Sequence, residues 1–349
     1  MTDISHKPIP PPPSTLATVV RCIATTLSQH YAINPLPLLK RVGIDPRILQ
    51  DIDARLPMSA MSPLWLLCVE VTGDADFGVH AVPYHQSANL YGIDLALYTC
   101  PTLGEAVQRH VQLVNLASTV GQPSLIQEKL GDWRMEFHIH GDYMPTTVAR
   151  DFYWHFHVRM FERLTGKPAS SILRGLELAR ESPPDRSAWD SLKVPVQFSL
   201  PVSAMVFRKD VWELPLPGAN PRLLANVERP ILQYLAQHRM PLPLSALRTR
   251  LADQLTTRSS LEILASNLGI ARVQLDLALQ QHGVSFAQLL DQTREAQALL
   301  LLRDSQCSVE QVAERIGFSS ASGLIRAFRR WQGKTPSSYR KQWLEVPKE

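Results

Sequence analysis

The chain has 349 residues, of which 45% are hydrophobic and 19% are charged, and its formal net charge is +4. This length exceeds the usual size of one domain, so we expect two domains, each with its own hydrophobic core. No apolar run approaches the ~20 residues that span a bilayer, and the N-terminal run Ile9–Pro13 lacks the layout of a signal peptide. We therefore expect a soluble, cytoplasmic protein with no membrane partner.

Common catalytic and metal-binding motifs are absent from the sequence. It has no GxSxG, HExxH, GxxxxGK[ST] or GxGxxG segment, which would indicate hydrolase, metalloprotease, P-loop or dinucleotide-binding chemistry. The four cysteines lie far apart without a CxxC pair, which favours reduced thiols; they are Cys22, Cys68, Cys100 and Cys307. Two histidine pairs lack the i, i+4 helix spacing of a zinc site; they are His138 with His140 and His155 with His157. We predict no enzyme activity, no cofactor and no bound metal.

The N-terminal part of the chain mixes helix and strand patterns. We expect a disordered proline-rich tail over residues 1–14, a helical pattern over residues 14–75 and a later helix capped by Thr102. Alternation on both sides of Gly131-Asp132 predicts a β-hairpin of Leu125–Leu130 and Trp133–His140. Further short strands are predicted at Ile172–Leu178, Val194–Phe198 and Ala204–Phe207. Together these elements predict an α+β sensor domain over residues 15–225 with a small, mostly antiparallel sheet.

An aromatic-rich helix is predicted between the hairpin and the later strands. It contains Phe152, Tyr153, Trp154, Phe156 and Phe161 and should end near Gly166-Lys167-Pro168. Such a face can wall a ligand pocket, since pockets are mostly apolar with a few polar groups, or it can simply form core. The sequence leaves both interpretations open and identifies no effector-binding residue.

The C-terminal part shows only helical periodicity. Residues 226–244 are predicted to form a connecting helix and a proline-containing hinge, residues 245–344 an all-α domain, and residues 345–349 a tail. Two segments of the all-α domain resemble each other, Leu264–Ile270 and Val312–Phe318. Each is a short helix that ends in glycine and is followed by a second amphipathic helix. This pattern is typical of two helix-turn-helix units, whose second helix can enter the major groove of DNA.

The second helix of the second unit, Ser320–Trp331, separates apolar from basic residues. With ~3.6 residues per turn, one arc holds Leu324, Ile325, Phe328 and Trp331, and the opposite arc holds Ser322, Arg326, Arg329 and Arg330. Ser319 or Ser320 can cap the helix start, and Lys334 follows in the next turn. No Asp or Glu occurs from Arg315 to Leu344. A basic face can be merely solvated, but at this place it predicts contacts with phosphates and guanine edges.

Several motifs in this part resemble AraC/XylS-type transcription regulators. They are Val312-Ala313, Ile316-Gly317-Phe318-Ser319, Arg326-Ala327-Phe328-Arg329-Arg330-Trp331, Gly333-Lys334-Thr335-Pro336 and Tyr339-Arg340. The resemblance covers residues 245–343 and implies a seven-helix output domain that binds double-stranded promoter DNA, typically as a homodimer on repeated half-sites. It further implies association with the nucleoid and RNA polymerase as a partner.

The N-terminal part more weakly resembles the sensor of the ornithine-utilisation-type branch of that family. The segments that carry this resemblance are Pro101–Ala106, Pro195–Phe198 and Leu214–Pro217. The sensor is often labelled arabinose-binding, and we do not take that label as a ligand assignment.

The first unit departs from the family pattern. Val273, Leu277 and Gln280 stand where the second unit has Ser322, Arg326 and Arg329. Members of this branch usually carry a basic residue at the position of Leu277 and a capping serine at that of Ala271, and Asp276 adds a charge that phosphates repel. We expect this unit to contribute less affinity than the second; its candidate contacts are Arg272, Gln274, Gln280 and Gln281.

The leading hypothesis is a sequence-specific DNA-binding transcription regulator controlled by a small-molecule effector in the N-terminal domain. One alternative is a ligand- or partner-binding protein that has lost specific DNA binding through its degenerate first unit. Another is a DNA reader fused to a DNA-repair methyltransferase, but no cysteine lies in the Pro-Cys-His or Pro-Cys-Arg element expected of one. The sequence identifies neither the effector nor whether the protein activates or represses transcription.

Overall fold

The computed structural model describes residues 12–51, 53–86, 92–139, 143–238, 240–303 and 307–345. His140, most of the proline-rich tail and residues 346–349 therefore lie outside the described residues. The chain divides into two compact units, Met1–Val227 and Glu228–Glu349.

The helices of the N-terminal unit surround a small sheet. They are α1 (Thr18–His30), α2 (Pro35–Arg41), α3 (Met58–Thr72), α4 (Phe77–Ala81), α5 (Ile93–Tyr98), α6 (Leu103–Ala117), α7 (Thr147–Thr165), α8 (Ala169–Ile172) and α9 (Ser187–Asp190), and α10 (Pro221–Gln237) begins here. The predicted cap of α6 is present, because the Thr102 side chain accepts a hydrogen bond from the Glu105 N–H at 3.3 Å. The aromatic helix α7 ends at Gly166 in a left-handed conformation, as the sequence predicts.

Within the described residues, the strands form two sheets, one of two strands and one of five. They are β1 (Ser14–Leu16), β2 (Arg55–Pro57), β3 (Gly121–Gln127), β4 (Trp133–Ile139), β5 (Leu173–Glu177), β6 (Val196–Gln197) and β7 (Ser203–Phe207). The first two pair with each other, and the larger sheet has the order β3-β4-β7-β5-β6. All of its neighbours are antiparallel except β5 and β6. The predicted α+β class with a small, mostly antiparallel sheet is confirmed.

Strand limits differ from the sequence-based expectation at several places. The β3 strand runs from Gly121 to Gln127 instead of Leu125–Leu130, because Glu128 already belongs to the turn, where its N–H donates to the Asp132 carbonyl at 2.8 Å. The strand expected to begin at Ile172 is preceded by the helical turn α8. The region expected to be helical from residue 14 to 75 also contains β1 and β2. At β1, β2 and β5 the limit is set by pairing with a segment distant in the sequence, which periodicity does not encode.

The core of the N-terminal unit is packed around α7. Phe77, Leu64 and Ile23 are fully buried in a cluster that Val148 of α7 joins. Helix α4 crosses α7 at Gly78, where an added Cβ would lie 2.2 Å from the Val148 carbonyl oxygen. Two helix backbones therefore approach each other so closely that no side chain fits between them.

The C-terminal unit consists of helices throughout the residues described in it. After the end of α10 they are α11 (Leu244–Ala252), α12 (Leu261–Leu268), α13 (Arg272–Gln281), α14 (Phe286–Leu301), α15 (Val309–Arg315), α16 (Ala321–Gln332) and α17 (Pro336–Glu345). This all-α class agrees with the sequence-based prediction. Within the described parts of both units, no helix combines the length and apolar character needed to cross a bilayer.

Replacing Gly78 by alanine should destabilise the N-terminal unit by about 2 kcal/mol, because the new methyl group must push α4 away from α7. Thermal unfolding of the full chain should show a melting temperature lower by several degrees. The control is Ala75→Ser at an exposed position just before α4. Equal melting temperatures for Gly78→Ala and wild type would refute the close helix contact.

Candidate nucleic-acid interface

The two repeated segments fold into the same local structure. Ser260 and Ser308 are the N-cap residues of α12 and α15. Their side chains accept hydrogen bonds from backbone N–H groups of the first turn. Each helix is followed by a glycine with positive φ, +67° at Gly269 and +79° at Gly317. The next residue closes the turn in both, since the N–H groups of Ile270 and Phe318 donate to carbonyls of Ala265 and Ala313 at 3.1 and 2.8 Å. The repeat thus consists of two helix-turn-helix units.

The turn of the second unit requires glycine for a second reason. A Cβ at Gly317 would lie 2.4 Å from the Thr256 carbonyl oxygen. The chain that precedes α12 therefore packs directly on the turn before α16.

Helix α16 has the two faces that its sequence predicts. Its N-cap is Ser320, whose hydroxyl accepts a hydrogen bond from the Gly323 N–H at 3.3 Å. Leu324 and Phe328 are fully buried, whereas Ile325 and Trp331 are half-buried. The residues on the exposed side are Ser322, Arg326, Arg329 and Arg330. Apolar packing on one side therefore fixes which side is open to solvent.

The three arginines on this exposed side differ in their partners. Arg326 and Arg329 make no hydrogen bond or ion pair with the part of the chain that the structure describes. Arg330 Nη2, in contrast, donates to both carboxylate oxygens of Asp291 on α14, at 2.7 and 2.9 Å. The indole Nε1 of Trp331 donates to the same carboxylate at 2.9 Å. Asp291 therefore holds the end of α16, and two arginines stay available for a ligand.

Arg294, one turn further along α14, holds the turn itself. Its Nε donates to the carbonyl of Ile316 at 3.1 Å, and its Nη2 donates to those of Gly317 at 2.8 Å and Thr256 at 3.3 Å. Its guanidinium carbon lies 4.8 Å from the centroid of the Phe318 ring. Burial lowers the pKa of Arg294, and the carbonyls at the C-terminal end of α15 are a favourable place for a cation.

The role of Arg294 was not predicted from the sequence. The available signal was an arginine on α14, between the two units, three residues after Asp291 and hence on the same face. The spacing indicates the shared face but not the carbonyls that it reaches.

The remaining predicted contacts of the second unit lie around the ends of α16. Ser319 is exposed beside the N-cap. Lys334 Nζ donates to Gln342 Oε1 at 2.6 Å and lies 5.3 Å from the centroid of the Tyr339 ring, which places its ammonium group near the start of α17.

Two of the four predicted contacts of the first unit are engaged with other residues of the protein. Both polar atoms of the Gln274 amide form hydrogen bonds. Oε1 accepts from the Ala271 N–H at 2.9 Å, and Nε2 donates to the Ala236 carbonyl at 3.0 Å. Arg272 forms a 3.1 Å ion pair with Glu262, in which both side chains are exposed. Only Gln280 and Gln281 are exposed without a partner among the described residues.

The rest of the exposed side of α13 is apolar or acidic. Val273 is 73% exposed and Leu277 is 52% exposed. Asp276 lies between them on the same exposed side. Helix α13 therefore offers a surface of a different character from that of α16.

No group of three or more His, Cys, Asp or Glu side chains within the described ranges is arranged to hold a metal ion. His155 and His157 are buried on α7, and each uses Nδ1 to donate to a carbonyl four residues earlier, those of Asp151 and Tyr153. His138 lies on β4, and its predicted partner His140 is outside the described residues. All four cysteines are buried and free.

The chain is similar to known regulators in both units. Residues 33–216 match the family described as the arabinose-binding domain of AraC transcription regulators, N-terminal, and residues 264–342 match a helix-turn-helix domain family. The chain is 24% identical over 325 residues to the ornithine utilization regulator of Pseudomonas aeruginosa, covering 90% of this chain and 93% of that protein. It is also 24% identical over 324 residues to the regulator VirS of Mycobacterium tuberculosis, with the same two coverages. The crystal structure of the regulator CdpR from P. aeruginosa shares the fold, with a TM-score of 0.53 at 20% identity over 93% of this chain and 98% of that one.

Replacing Arg294 by methionine should destabilise the C-terminal unit by about 3 kcal/mol, since it leaves three carbonyl groups without their charged donor. Urea unfolding of the full chain should show a C-terminal transition at lower urea concentration. The matched control is Arg248→Met. It removes an exposed arginine of α11 that is bonded to Gln292 of α14. Similar losses in the two variants would contradict the role assigned to Arg294.

Proposed function

This chain belongs to the AraC family of transcription regulators, and we propose on that premise that it reads a promoter half-site chiefly through Arg326 and Arg329 of α16. As a family member it is a DNA-binding regulator with an arabinose-binding-type N-terminal domain, so the family resemblance of its motifs is confirmed. The observation that supports the finer proposal is that these two arginines are exposed and without partners on a helix whose opposite side is locked in the core.

The chemistry of α16 suits the major groove. A guanidinium can donate two parallel hydrogen bonds to O6 and N7 of guanine, a pattern that no other base pair presents. The free N–H groups at the N-terminus of the helix favour a phosphate. We assign contacts in the second unit to Ser319, Ser320, Ser322, Arg326, Arg329 and Lys334. Arg330, bound to Asp291, positions the helix instead.

The first unit has a smaller role in this proposal. Arg272, Gln280 and Gln281 are its polar contacts, since Gln274 is engaged within the unit. The exposed Val273 and Leu277 side chains match the methyl groups of thymine better than any polar base edge. We therefore expect a half-site in which α16 selects guanine and α13 tolerates or weakly prefers A·T pairs.

The remaining parts of the proposal rest on the family alone. We propose that the protein acts as a dimer on repeated half-sites, contacts RNA polymerase and responds to a small molecule in its N-terminal unit. Its matched relatives are regulators and not enzymes.

One observation favours the alternative function, a partner-binding protein without specific DNA binding. It is the apolar and acidic surface of α13, which is unusual for a helix that faces phosphates. A salt-dependent gel-shift titration with the upstream region of its own gene distinguishes the two functions.

Replacing Arg326 by alanine should weaken binding to the operator about thirtyfold, the equivalent of ~2 kcal/mol for a lost bidentate base contact. Gln280→Ala should weaken it less than about threefold, since the first unit supplies little affinity. Gel-shift titrations at one fixed salt concentration measure both effects.

The control for charge alone is Arg248→Ala, which removes one exposed arginine from α11. Equal losses for the Arg326 and Gln280 variants, or a loss with Arg248→Ala as large as that with Arg326→Ala, would refute the assignment.

Replacing Asp276 by asparagine should strengthen DNA binding severalfold at low salt, because the carboxylate on the exposed side of α13 repels phosphates. The gain should shrink as salt screens the charge. Asp185→Asn, which removes an exposed carboxylate of the N-terminal unit, is the control. An unchanged affinity at every salt concentration would mean that α13 does not approach DNA.

A further inference from the structure

The N-terminal unit contains a cavity of about 380 Å³. This volume lies in the range of small-molecule sites, roughly 300–1,000 Å³. Its wall is mostly apolar and includes Val19, Met61, Trp65, Phe137, Phe152 and Met160. Part of the aromatic side of α7 therefore borders open space instead of core.

Several polar side chains interrupt this apolar wall, and five of them lie near one another. These five come from four separate places in the chain and are His85, Asp94, His110, Tyr153 and His157. His85 Nε2 lies 3.1 Å from Asp94 Oδ2. The ring of His157 lies 4.0 Å from that of Tyr153 and 4.5 Å from that of His110, measured between centroids. We call these five residues the polar cluster.

Four buried atoms of the polar cluster have no hydrogen-bond partner among the described residues. They are Asp94 Oδ1, His110 Nε2, the Tyr153 hydroxyl and His157 Nε2. A buried polar atom without a partner costs free energy, commonly ~1–3 kcal/mol. Their concentration beside one cavity indicates that a bound molecule supplies the missing partners.

The hydrogen bonds already made define what those partners must be. His157 Nδ1 donates to the Tyr153 carbonyl at 2.6 Å, so Nε2 of the neutral ring is an acceptor. Asp94 Oδ1 is an acceptor as well, whereas the Tyr153 hydroxyl can donate and accept. The complementary group must therefore carry at least one donor and also offer an acceptor.

Burial disfavours the charged forms of the histidines and the tyrosine of the polar cluster. Burial lowers the pKa of His110 and brings that of His157 to about 4, so both rings are neutral at neutral pH even though Asp94 lies nearby. Burial also raises the pKa of the Tyr153 hydroxyl. A buried cation or anion would meet the same desolvation penalty.

We propose that this cavity binds a small, mainly apolar molecule whose uncharged head both donates and accepts hydrogen bonds, such as an alcohol or a primary amide, with Tyr153 and His157 as its partners. The proposal rests on the proposed function, in which such a molecule is the effector. A carboxylate lacks the donor that Asp94 and His157 require.

Arg150 also lines the cavity and carries a charge that attracts carboxylates. Its Nη1 donates to the Ala179 carbonyl at 3.1 Å and its Nη2 to Thr147 at 3.3 Å, whereas its buried Nε has no partner among the described residues. The neighbouring Asp151 carboxylate is shared with Arg180, with which it forms an ion pair. Arg150 also precedes His157 by seven residues of helix, about 10 Å along the axis.

Four probes with one chain length and different heads test the proposal on the full-length protein: n-octanol, octanamide, octanoate and octylamine. Thermal shift and calorimetric titration should detect the alcohol and the amide, because a ligand that binds the folded state raises the melting temperature. Octanoate and octylamine should bind at least tenfold more weakly. Binding of either charged probe as tight as that of the alcohol, or no binding by any of the four, would overturn the proposal.

Tyr153→Phe separates a ligand contact from a structural role. It removes an unpartnered hydroxyl, so the melting temperature without probe should stay equal or rise, while the dissociation constant of the alcohol should rise about fivefold. The matched control, Tyr98→Phe, removes a hydroxyl that bonds the Arg163 carbonyl away from the cavity and should leave the alcohol affinity unchanged. Unchanged alcohol binding by Tyr153→Phe would contradict the assignment.

DNA binding, measured by gel shift without any probe, is a separate readout. Operator binding with no probe binding would refute the ligand proposal and leave the regulator intact. Probe binding without operator binding would refute the proposed DNA reading and leave the ligand proposal intact.

Discussion

One side of α14 fixes the orientation of the helix that we assign to DNA. Asp291 and Arg294 lie three residues apart on it, and between them they bind the end of α16 and the turn before it. Apolar packing through Leu324 and Phe328 gives α16 its inward side. Directional hydrogen bonds from two charged groups define the orientation at both ends, and only with that orientation defined do Arg326 and Arg329 present a fixed pattern of donors.

The arginines of the C-terminal unit illustrate how far sequence reasoning reaches. The glycine-terminated repeat, the serine cap and the two-sided pattern of α16 are local features, and each was predicted correctly at Gly317, Ser320 and Phe328. The partners of the polar side chains, in contrast, lie far away in the sequence. Arg330 meets a carboxylate 39 residues away, and Gln274 meets a carbonyl 38 residues away. Spacing reveals which side of a helix a residue occupies, but the element packed against that side decides whether it is engaged or free.

The aromatic helix α7 shows the same difference between local features and distant partners in the N-terminal unit. Sequence analysis left open whether its aromatic side forms core or borders a pocket, and both occur, since Phe161 is fully buried in core whereas Phe152 and Tyr153 line the cavity. The polar cluster was beyond prediction from the sequence because its members come from α5, α6, α7 and the segment that contains His85. Only the fold brings them together. The limits of β1, β2 and β5 were not predicted for a related reason, since pairing with segments distant in the sequence sets them.

Base reading by the free arginines of α16 can be measured by combining a protein variant with a single-atom change in the DNA. Each guanine of the bound half-site is replaced in turn by a deazaguanine that lacks N7, and affinities are measured for the wild-type protein and for Arg326→Ala. We expect one guanine whose replacement weakens wild-type binding about tenfold but leaves binding by the variant unaffected. Equal effects on both proteins at every guanine would show that Arg326 reads no base.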